Sequence, residues 1–200
     1  SRRQRQMCIR DSLKERGIDG SVVKTVGSSL LIDRVAAKLG INVIETAVGF
    51  KHVGEAMRKN KVIIGGEESG GLSIQGHIPE KDGLLANLLI LETMASTGKS
   101  LIELQDDLYK IAGCRFYTDR IDLKLDNQEE IKPILEKVKQ LQNIGEYTVT
   151  SIDTIDGVKL MLGDTTKILV RPSGTEPLLR IYFETDNRKK LEDLKNKNFI

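Results

Sequence analysis

Apolar and polar residues follow two different periods along the first half of the chain. Val22 to Val26 (VVKTV) is mostly apolar, as in a buried strand, whereas Leu30 to Leu39 carries its apolar residues at helical spacing. Ser28 before this stretch is a suitable N-cap, and Gly40 after it is a suitable end. This order predicts a β-α-β unit. Further strands are predicted at Ile41 to Glu45 and Lys61 to Ile64, and further helices at Phe50 to Lys59, Gly83 to Ser96 (capped by Asp82) and Ser100 to Ile111.

The pattern changes near Gly113, after which strands follow one another with few helices. Strands are predicted at Arg115 to Leu125, Tyr147 to Thr150, Val158 to Leu162, Lys167 to Val170 and Leu179 to Glu184, and helices at Glu129 to Gln142 and from Arg188. Strands that alternate with helices favour a parallel sheet, and successive strands favour an antiparallel one. The predicted fold is a mixed, largely parallel α/β sheet domain at residues 13–112, followed by a small α+β domain with an antiparallel sheet at residues 113–200.

A glycine-rich loop, Gly65 to Gly71 (GGEESGG), directly follows one of the predicted strands. Its glycines let the backbone approach a ligand closely. Glu67 and Ser69 are two residues apart, so in an extended chain they point the same way and are placed to bind neighbouring hydroxyl groups. In a glycosidase, the acid and the base flank one glycosidic bond with their carboxyl groups about 5 to 9 Å apart. Glu67 and Glu68 are adjacent and point in opposite directions, which disfavours such a pair.

A second candidate site is the segment RPSGTEPLLR, from Arg171 to Arg180. The two arginines bracket a turn between predicted strands, and the turn is expected to direct backbone N–H groups and hydroxyls into one phosphate-binding concavity. The residues expected to line it are Ser173, Gly174 and Thr175. Gly174 allows a positive φ, which a sharp turn needs if its amides are to converge. The alternative is an ordinary loop in which Arg171 pairs with Glu176.

These motifs resemble those of the α-D-phosphohexomutase superfamily, and most of all phosphoglucomutase and phosphomannomutase. The resemblance runs from about Ile18 to about Leu194. It is carried by GGEESGG, by GHIPEKDG (Gly76 to Gly83), by RPSGTEPLLRIYFET, and by AVGFKHV (Ala47 to Val53). The superfamily has four domains and moves phosphate between C1 and C6 of a hexose through a phosphoserine and a hexose 1,6-bisphosphate intermediate. This chain resembles domains three and four, of which the last has a TATA-box-binding-protein-like fold.

The resemblance also implies roles for particular residues. It implies sugar binding by Glu67, Ser69 and Lys51, and phosphate binding by Arg171, Ser173, Gly174, Thr175 and Arg180. Lys51 has an alternative interpretation as a solvated helix lysine, and His77 is left without an assignment. Some members have a histidine where this chain has Gly71. GEESGG is more similar to glucose-type mutases than to phosphoglucosamine mutases, which tend toward GEQSGH.

Two motifs of the superfamily are absent from this sequence. They are the serine phosphate donor in a loop resembling TASHNP, and the DxDxDR loop that holds Mg²⁺. We therefore expect the Mg²⁺ ligands and the catalytic residues to belong to N-terminal domains of a longer parent enzyme, and we expect no mutase activity from this chain alone. The alternative is a free-standing, non-catalytic phosphosugar-binding module.

Composition limits the other possibilities. Residues 1–12 (SRRQRQMCIRDS) lack apolar periodicity and resemble translated adapter sequence, so we interpret them as a non-native or disordered head, with a natural basic linker as the alternative. Four arginines against one aspartate give this head a charge of +3, which leaves −1 for the rest of a chain whose total is +2. No basic surface for nucleic acid is therefore predicted. With only two cysteines, the sequence predicts no disulfide framework and no cysteine pair for a metal, and it favours a cytoplasmic location. No apolar run is long enough to predict a membrane span.

Overall fold

The chain divides into two compact units between Cys114 and Arg115. The structure, a computed structural model, describes residues 20–174 and 176–200. The predicted head at residues 1–12 and the predicted phosphate-binding residue Thr175 lie outside the described residues.

The first unit is built on a four-stranded sheet with the order β2-β1-β3-β4. Its strands are β1 (Ser21–Thr25), β2 (Val43–Thr46), β3 (Val62–Gly66) and β4 (Leu72–Ile74), and its helices are α1 (Leu30–Lys38), α2 (Phe50–Lys59), α3 (Gly83–Thr97) and α4 (Leu101–Ala112). β1 is parallel to both of its neighbours, and β4 is antiparallel to β3. The predicted mixed, largely parallel sheet is confirmed. Strand β4 was not predicted, because three residues between glycine-rich turns carry too short a pattern.

Two local predictions in this unit are corrected. Helix α1 is capped by Ser29, whose Oγ accepts a hydrogen bond from the N–H of Leu31 at 3.1 Å, and not by Ser28. Ser28 instead closes the turn after β1, since its N–H donates to the carbonyl of Thr25 at 2.9 Å. Strand β2 begins at Val43 rather than Ile41, because the N–H of Ile41 still bonds to the carbonyl of Ala36 at the end of α1.

Strand β3 continues into the segment that was predicted to be loop. Gly65 and Gly66 pair with β1 on one side and with β4 on the other. The glycine-rich loop is therefore shorter than predicted and consists of residues 67–71. It lies at the carboxyl end of β3, which is where ligands bind in open α/β sheets.

The second unit is a five-stranded antiparallel sheet with the order β5-β11-β10-β9-β8, and a two-stranded ribbon of β6 and β7. Its strands are β5 (Tyr117–Lys124), β6 (Asn143–Ile144), β7 (Tyr147–Thr148), β8 (Ser151–Asp153), β9 (Val158–Met161), β10 (Thr166–Pro172) and β11 (Leu178–Thr185), and its helices are α5 (Ile131–Lys139) and α6 (Arg188–Asn196). The predicted antiparallel α+β architecture is confirmed. The predicted helix at Glu129 to Gln142 is wrong at both ends, because Gln128–Glu130 forms a 3-10 turn and the ribbon begins at Asn143.

The two faces of this sheet differ in polarity because side chains alternate along each strand. One face supplies most of a buried apolar core that includes Leu160, Ile168, Ile181 and Phe183 together with Leu191 and Leu194 of α6. Register places Arg171 and Arg180 on the opposite face. The sheet is therefore a rigid platform for these two charged side chains.

Candidate functional site

The loop of residues 67–71 is a tight turn between β3 and β4. The N–H of Gly70 donates to the carbonyl of Glu67 at 3.0 Å, and the N–H of Glu67 donates to the carbonyl of Gly71 at 3.1 Å. Gly70 has φ of 94°, a conformation that residues with a side chain rarely adopt. The turn holds the Glu67 and Ser69 side chains close together, with Ser69 Oγ 3.4 Å from Glu67 Oε2.

The Glu67 carboxylate is held from several sides and is only 6% exposed. Its Oε1 accepts from the N–H of Gly49 at 3.1 Å, at the start of α2. Its Oε2 lies 2.8 Å from Nζ of Lys81. These contacts fix the carboxylate at the carboxyl end of the sheet, so a ligand would meet an acceptor that is already oriented.

Glu68 is directed elsewhere. Its Oε2 accepts a hydrogen bond from the hydroxyl of Thr25 at 3.0 Å, at the end of β1, and its carboxyl group packs against Gly27. The two adjacent carboxylates therefore diverge, as expected from the sequence. They are not arranged as an acid and a base for one bond.

Lys51 and His77 lie in the same unit as this loop. Lys51 is exposed in the first turn of α2, and its side chain forms no hydrogen bond or ion pair with the described residues. His77 Nε2 lies 3.3 Å from Oδ2 of Asp82, the N-cap of α3. The N–H of Leu85, with smaller contributions from Leu84 and His77, holds the pKa of Asp82 below its ordinary value. His77 thus contacts the carboxylate that begins α3.

In the second unit, Arg171 and Arg180 are direct cross-strand partners on β10 and β11. On the other side of β11, Arg180 pairs with Asp122 of β5. That carboxylate is already engaged by Arg120, with Nε to Oδ1 at 2.9 Å and a second nitrogen to Oδ2 at 3.1 Å. Nε of Arg180 is buried without a hydrogen-bond partner in the described part of the chain. The cross-strand arginines therefore form an incompletely neutralised cationic pair.

Arg171 is oriented by a carboxylate that precedes β9. Its Nε lies 2.7 Å from Oδ2 of Asp156, and both side chains are about four-fifths buried, with 21% and 20% exposed. The next residue, Gly157, has φ of 82°, and a Cβ there would collide with the carbonyl of Val170. The backbone of the Asp156–Gly157 turn therefore lies directly against β10, close to Arg171.

The turn between β10 and β11 differs in two respects from the predicted phosphate-binding concavity. The N–H of Ser173 donates to the carbonyl of Leu178 at 2.9 Å, so it closes the turn and does not face a ligand. Gly174 is exposed and does not have a positive φ. Arg171 and Pro172 belong to β10 and not to the turn, because they pair with Arg180 and Leu179.

Several residues at these sites were missed by sequence reasoning. Gly49, Lys81 and Asp156 contact the predicted residues directly but lie 14 to 18 positions from them along the chain. Asp156 and Gly157 form a dipeptide typical of turns, but nothing in the sequence shows which side chain the aspartate contacts. Lys81 lies within GHIPEKDG, a motif that carries the family resemblance, but its contact with Glu67 was not predicted.

Neither a metal site nor a membrane span is found in residues 20–174 and 176–200. No three potential ligands among them lie close enough to hold a metal ion. No helix in the same ranges is long and apolar enough to cross a membrane.

Comparison with known proteins places both units in one family. The family profile described as phosphoglucomutase/phosphomannomutase, alpha/beta/alpha domain III, matches residues 6–111, and the corresponding C-terminal domain matches residues 121–199. The chain belongs to the phosphoglucomutase/phosphomannomutase family.

Individual relatives agree with this assignment. The chain is 35% identical to phosphoglucomutase/phosphomannomutase of Thermococcus kodakarensis over 90% of its own length and 37% of that protein, and 33% identical to phosphoglucosamine mutase of Bacillus subtilis over 90% and 36%. A crystal structure from Thermus thermophilus, whose assignment as a phosphomannomutase is provisional, superimposes with a TM-score of 0.77 at 31% identity, over 96% of this chain and 38% of that one. The chain thus spans little more than a third of the length of these relatives.

Proposed function

We propose that this chain is the substrate-orienting C-terminal part of a phosphoglucomutase or phosphomannomutase. The parent enzyme interconverts hexose 1-phosphate and hexose 6-phosphate by intramolecular phosphoryl transfer, in the cytoplasm, through a hexose 1,6-bisphosphate. Family membership supports the class of reaction. The relatives include phosphoglucosamine mutases, and GEESGG is the feature that favours glucose or mannose as the sugar.

The observation that carries the proposal is the cross-strand pair of Arg171 and Arg180. Like charges directly opposite each other destabilise a sheet, and Nε of Arg180 is buried without a described partner. A phosphate dianion relieves both costs, because guanidinium groups bind phosphate oxygens in a bidentate manner. We assign the phosphate that does not react to these arginines, with further contacts from Ser173, Gly174 and Thr175.

The sugar is assigned to the loop of the first unit. Glu67 is an oriented acceptor for a hydroxyl, Ser69 is an exposed hydroxyl beside it, and Lys51 is an exposed cation without a partner among the described residues. The phosphoserine and Mg²⁺, which neutralises the transferring phosphoryl group, are assigned to domains that precede these two in the parent enzyme. Those domains are proposed partners of this chain, which we expect to show no turnover of glucose 1-phosphate alone.

Calorimetric titration of the chain with glucose 1-phosphate and with inorganic phosphate tests the proposal. Arg180→Gln is expected to weaken both ligands, whereas Glu67→Gln is expected to weaken only the sugar phosphate. Arg58→Gln, at an exposed arginine of α2, serves as the charge-matched control and is expected to change neither. Equal affinities in wild type and Arg180→Gln would contradict the phosphate assignment. Turnover by the pure chain would contradict the assignment of the chemistry to other domains.

A further inference from the structure

Helix α3 is apolar on its exposed side as well as on its packed side. Its buried residues are Ala86, Leu89, Ile90 and Thr93. Leu84, Leu88 and Leu91 are nevertheless 78%, 65% and 58% exposed, and Glu92 is the only charged residue of the helix. A surface helix normally carries charged and polar residues opposite its apolar side, and a helix that is apolar all round is normally buried. The described residues therefore leave one side of α3 without the cover that such a helix needs.

The three exposed leucines, Leu84, Leu88 and Leu91, form a leucine stripe along α3. They are four and three residues apart, which is the spacing of neighbours on one side of a helix, and the stripe runs for about 10 Å along the helix axis. Ala95 continues the same spacing toward the end of the helix. The largest contiguous apolar patches on a protein surface are often functional, so the stripe is a candidate interaction surface.

The leucine stripe begins beside the glycine-rich loop. Asp82, the N-cap of α3, donates its backbone N–H to the carbonyl of Leu72 at 3.1 Å. Leu72 directly follows Gly71, the last residue of the loop. Leu84 is two residues beyond Asp82, so the first turn of α3 lies at the same end of the sheet as the loop of residues 67–71.

The proposed reaction brings a further domain to this end of the sheet. Phosphoryl transfer requires reacting atoms about 3 to 3.5 Å apart in a site that excludes water. The phosphoserine and Mg²⁺ are assigned to preceding domains and the sugar to the loop, so one of those domains has to close over the loop. The matched profiles are domain III and the C-terminal domain, and the chain spans little more than a third of its relatives. The preceding domains of the proposed parent are therefore both close to the stripe and large enough to cover it.

The size of the leucine stripe favours a linked domain over a second copy of the chain. Three leucine side chains offer on the order of 300 Å² of apolar surface, whereas a stable dimer buries about 800 Å² on each partner. A patch of this size does not hold two separate molecules together by itself. A domain of the same polypeptide needs less contact, because the covalent link keeps it at a high effective concentration.

We propose that the leucine stripe is the surface on which a preceding domain of the parent enzyme packs, namely the domain that closes over the loop of residues 67–71. The inference rests on the proposed function and deepens its assignment of partners. The matching surface of that domain is apolar, since a charge buried against the stripe would lose its hydration without compensation. The leucines thus anchor a protein partner and do not bind the ligand.

Thiol labelling of cysteine variants tests the inference. Leu88→Cys probes the stripe, and Ile102→Cys, at a residue of α4 that is 71% exposed, is the matched control. Both variants are made in this chain and in a chimera that joins it to the preceding part of the phosphoglucomutase/phosphomannomutase of Thermococcus kodakarensis. Peptide mapping separates the new cysteines from Cys8 and Cys114.

In the isolated chain, both new cysteines are expected to react at similar rates, because both positions are exposed. In the chimera, Leu88→Cys is expected to react at least about tenfold more slowly, since a covered thiol reacts only when the interface opens, while Ile102→Cys keeps its rate. Equal rates for Leu88→Cys in the two proteins overturn the inference. Slow labelling of Leu88→Cys in the isolated chain also overturns it, because another part of this chain covers the stripe if the slowing is independent of concentration, and a second copy covers it if the slowing depends on concentration.

Turnover of glucose 1-phosphate by the chimera separates the inference from the proposed function. A chimera that turns over this substrate while Leu88→Cys stays reactive overturns the inference and leaves the proposed function standing. Wild-type chain that binds neither glucose 1-phosphate nor inorganic phosphate contradicts the proposed function itself. Circular dichroism checks the fold of each protein. Where the first chimera does not fold, a chimera with the preceding part of the phosphoglucosamine mutase of Bacillus subtilis replaces it, and a reactive Leu88→Cys there overturns the inference.

Discussion

Arg171 and Arg180 face each other across neighbouring antiparallel strands, on the side of the sheet opposite its apolar core. Asp156 holds one of them, and the carboxylate across from the other, Asp122, is held by Arg120. Two positive charges are thus fixed side by side by the strand register. Because like charges opposite each other destabilise a sheet, an anion bound between the two arginines would offset their repulsion, and we expect such an anion to stabilise the second unit.

Replacing Arg180 by glutamine is predicted to weaken phosphate binding without unfolding the second unit. The loss is expected to be about 1.5 to 3 kcal/mol, the range for a hydrogen bond to a charged group. Stability without ligand is expected to remain the same or rise slightly, because the variant removes a repulsion between cross-strand partners and a buried unpaired donor. Calorimetry and denaturant unfolding measure the two effects. A large loss of stability without ligand would instead assign Arg180 a structural role.

Arg171 requires a different test, since its side chain is mostly buried against Asp156. Arg171→Ala would leave that carboxylate without its main partner, so a loss of phosphate binding could accompany a loss of stability. Variants of Asp156 separate the two effects. Asp156→Asn keeps an acceptor for Nε of Arg171, whereas Asp156→Ala removes it. The alanine variant is predicted to bind phosphate about 2- to 10-fold more weakly than the asparagine variant, and equal affinities would show that Asp156 does not position Arg171.

The first unit contains a buried cation whose removal is predicted to be costly. Lys24 on β1 is 1% exposed and lies 2.6 Å from Asp33 and 2.9 Å from Glu45. Lys24→Met is predicted to destabilise the fold by about 1 to 3 kcal/mol, because both carboxylates lose a charged partner but remain partly accessible to solvent, with 39% and 21% of their side chains exposed. Lys59→Met, at an exposed pair with Glu55, is the control and is expected to leave the stability nearly unchanged.

The charge state of Lys24 predicts how the stability difference between wild type and Lys24→Met depends on pH. Burial opposes the charged form, but Asp33 and Glu45 outweigh it and raise the pKa of Lys24 above its ordinary value of 10.5. A raised pKa means that the stabilisation is fully present below the ordinary value and is lost as pH rises through the folded value. The difference between wild type and Lys24→Met should therefore be the same at about pH 7 and about pH 9. A penalty that is already smaller at the higher pH would contradict the ion pairs.

The carboxylate of Asp82 predicts a pH dependence of stability in the opposite direction, with stability lost in acid. The hydrogen bond from the N–H of Leu85, with smaller contributions from Leu84 and His77, lowers the pKa of Asp82 in the folded protein below its ordinary value of 3.8. The charged carboxylate therefore stabilises the fold above pH 3.8, and this stabilisation is lost as pH falls through the pKa of the folded state. Asp82→Asn keeps the N-cap hydrogen bond without the charge. The stability advantage of wild type over this variant is predicted to shrink as pH falls from about 7 to about 3. Urea unfolding across this range measures it, and an advantage that persists in acid would contradict the role of the charge.

Much of the fold follows from the sequence because the strong patterns agree with one another. Apolar runs with the period of strands lie between capped amphipathic stretches, and each unit has a sheet of the predicted class, mixed in the first and antiparallel in the second. The failures lie where pattern and tertiary context compete. Gly65 and Gly66 were predicted as loop residues, yet β-pairing on both sides makes them strand. Strand β4 is too short for a periodic signal.

The candidate sites were predictable in part. Glu67, Ser69 and the two arginines belong to long motifs, so their proximity in pairs could be foreseen. The N–H of Ser173 was expected to face a ligand, but the carbonyl of Leu178 takes it, since a turn must satisfy its own backbone groups first. The partners Lys81 and Asp156 come from distant segments. Only the folded chain shows what those side chains contact.

The most direct test of the account is to map the binding of glucose 6-phosphate by amide NMR on the isotope-labelled chain. The account predicts chemical-shift changes in two groups, one in residues 65–71 with Gly49 and Lys81, and one in residues 171–180 with Asp156. Arg180→Gln should abolish the second group at ligand concentrations that saturate wild type. Shift changes that avoid residues 171–180, or that persist unchanged in Arg180→Gln, would contradict the central claim that the cross-strand arginines bind the phosphate of a phosphorylated sugar.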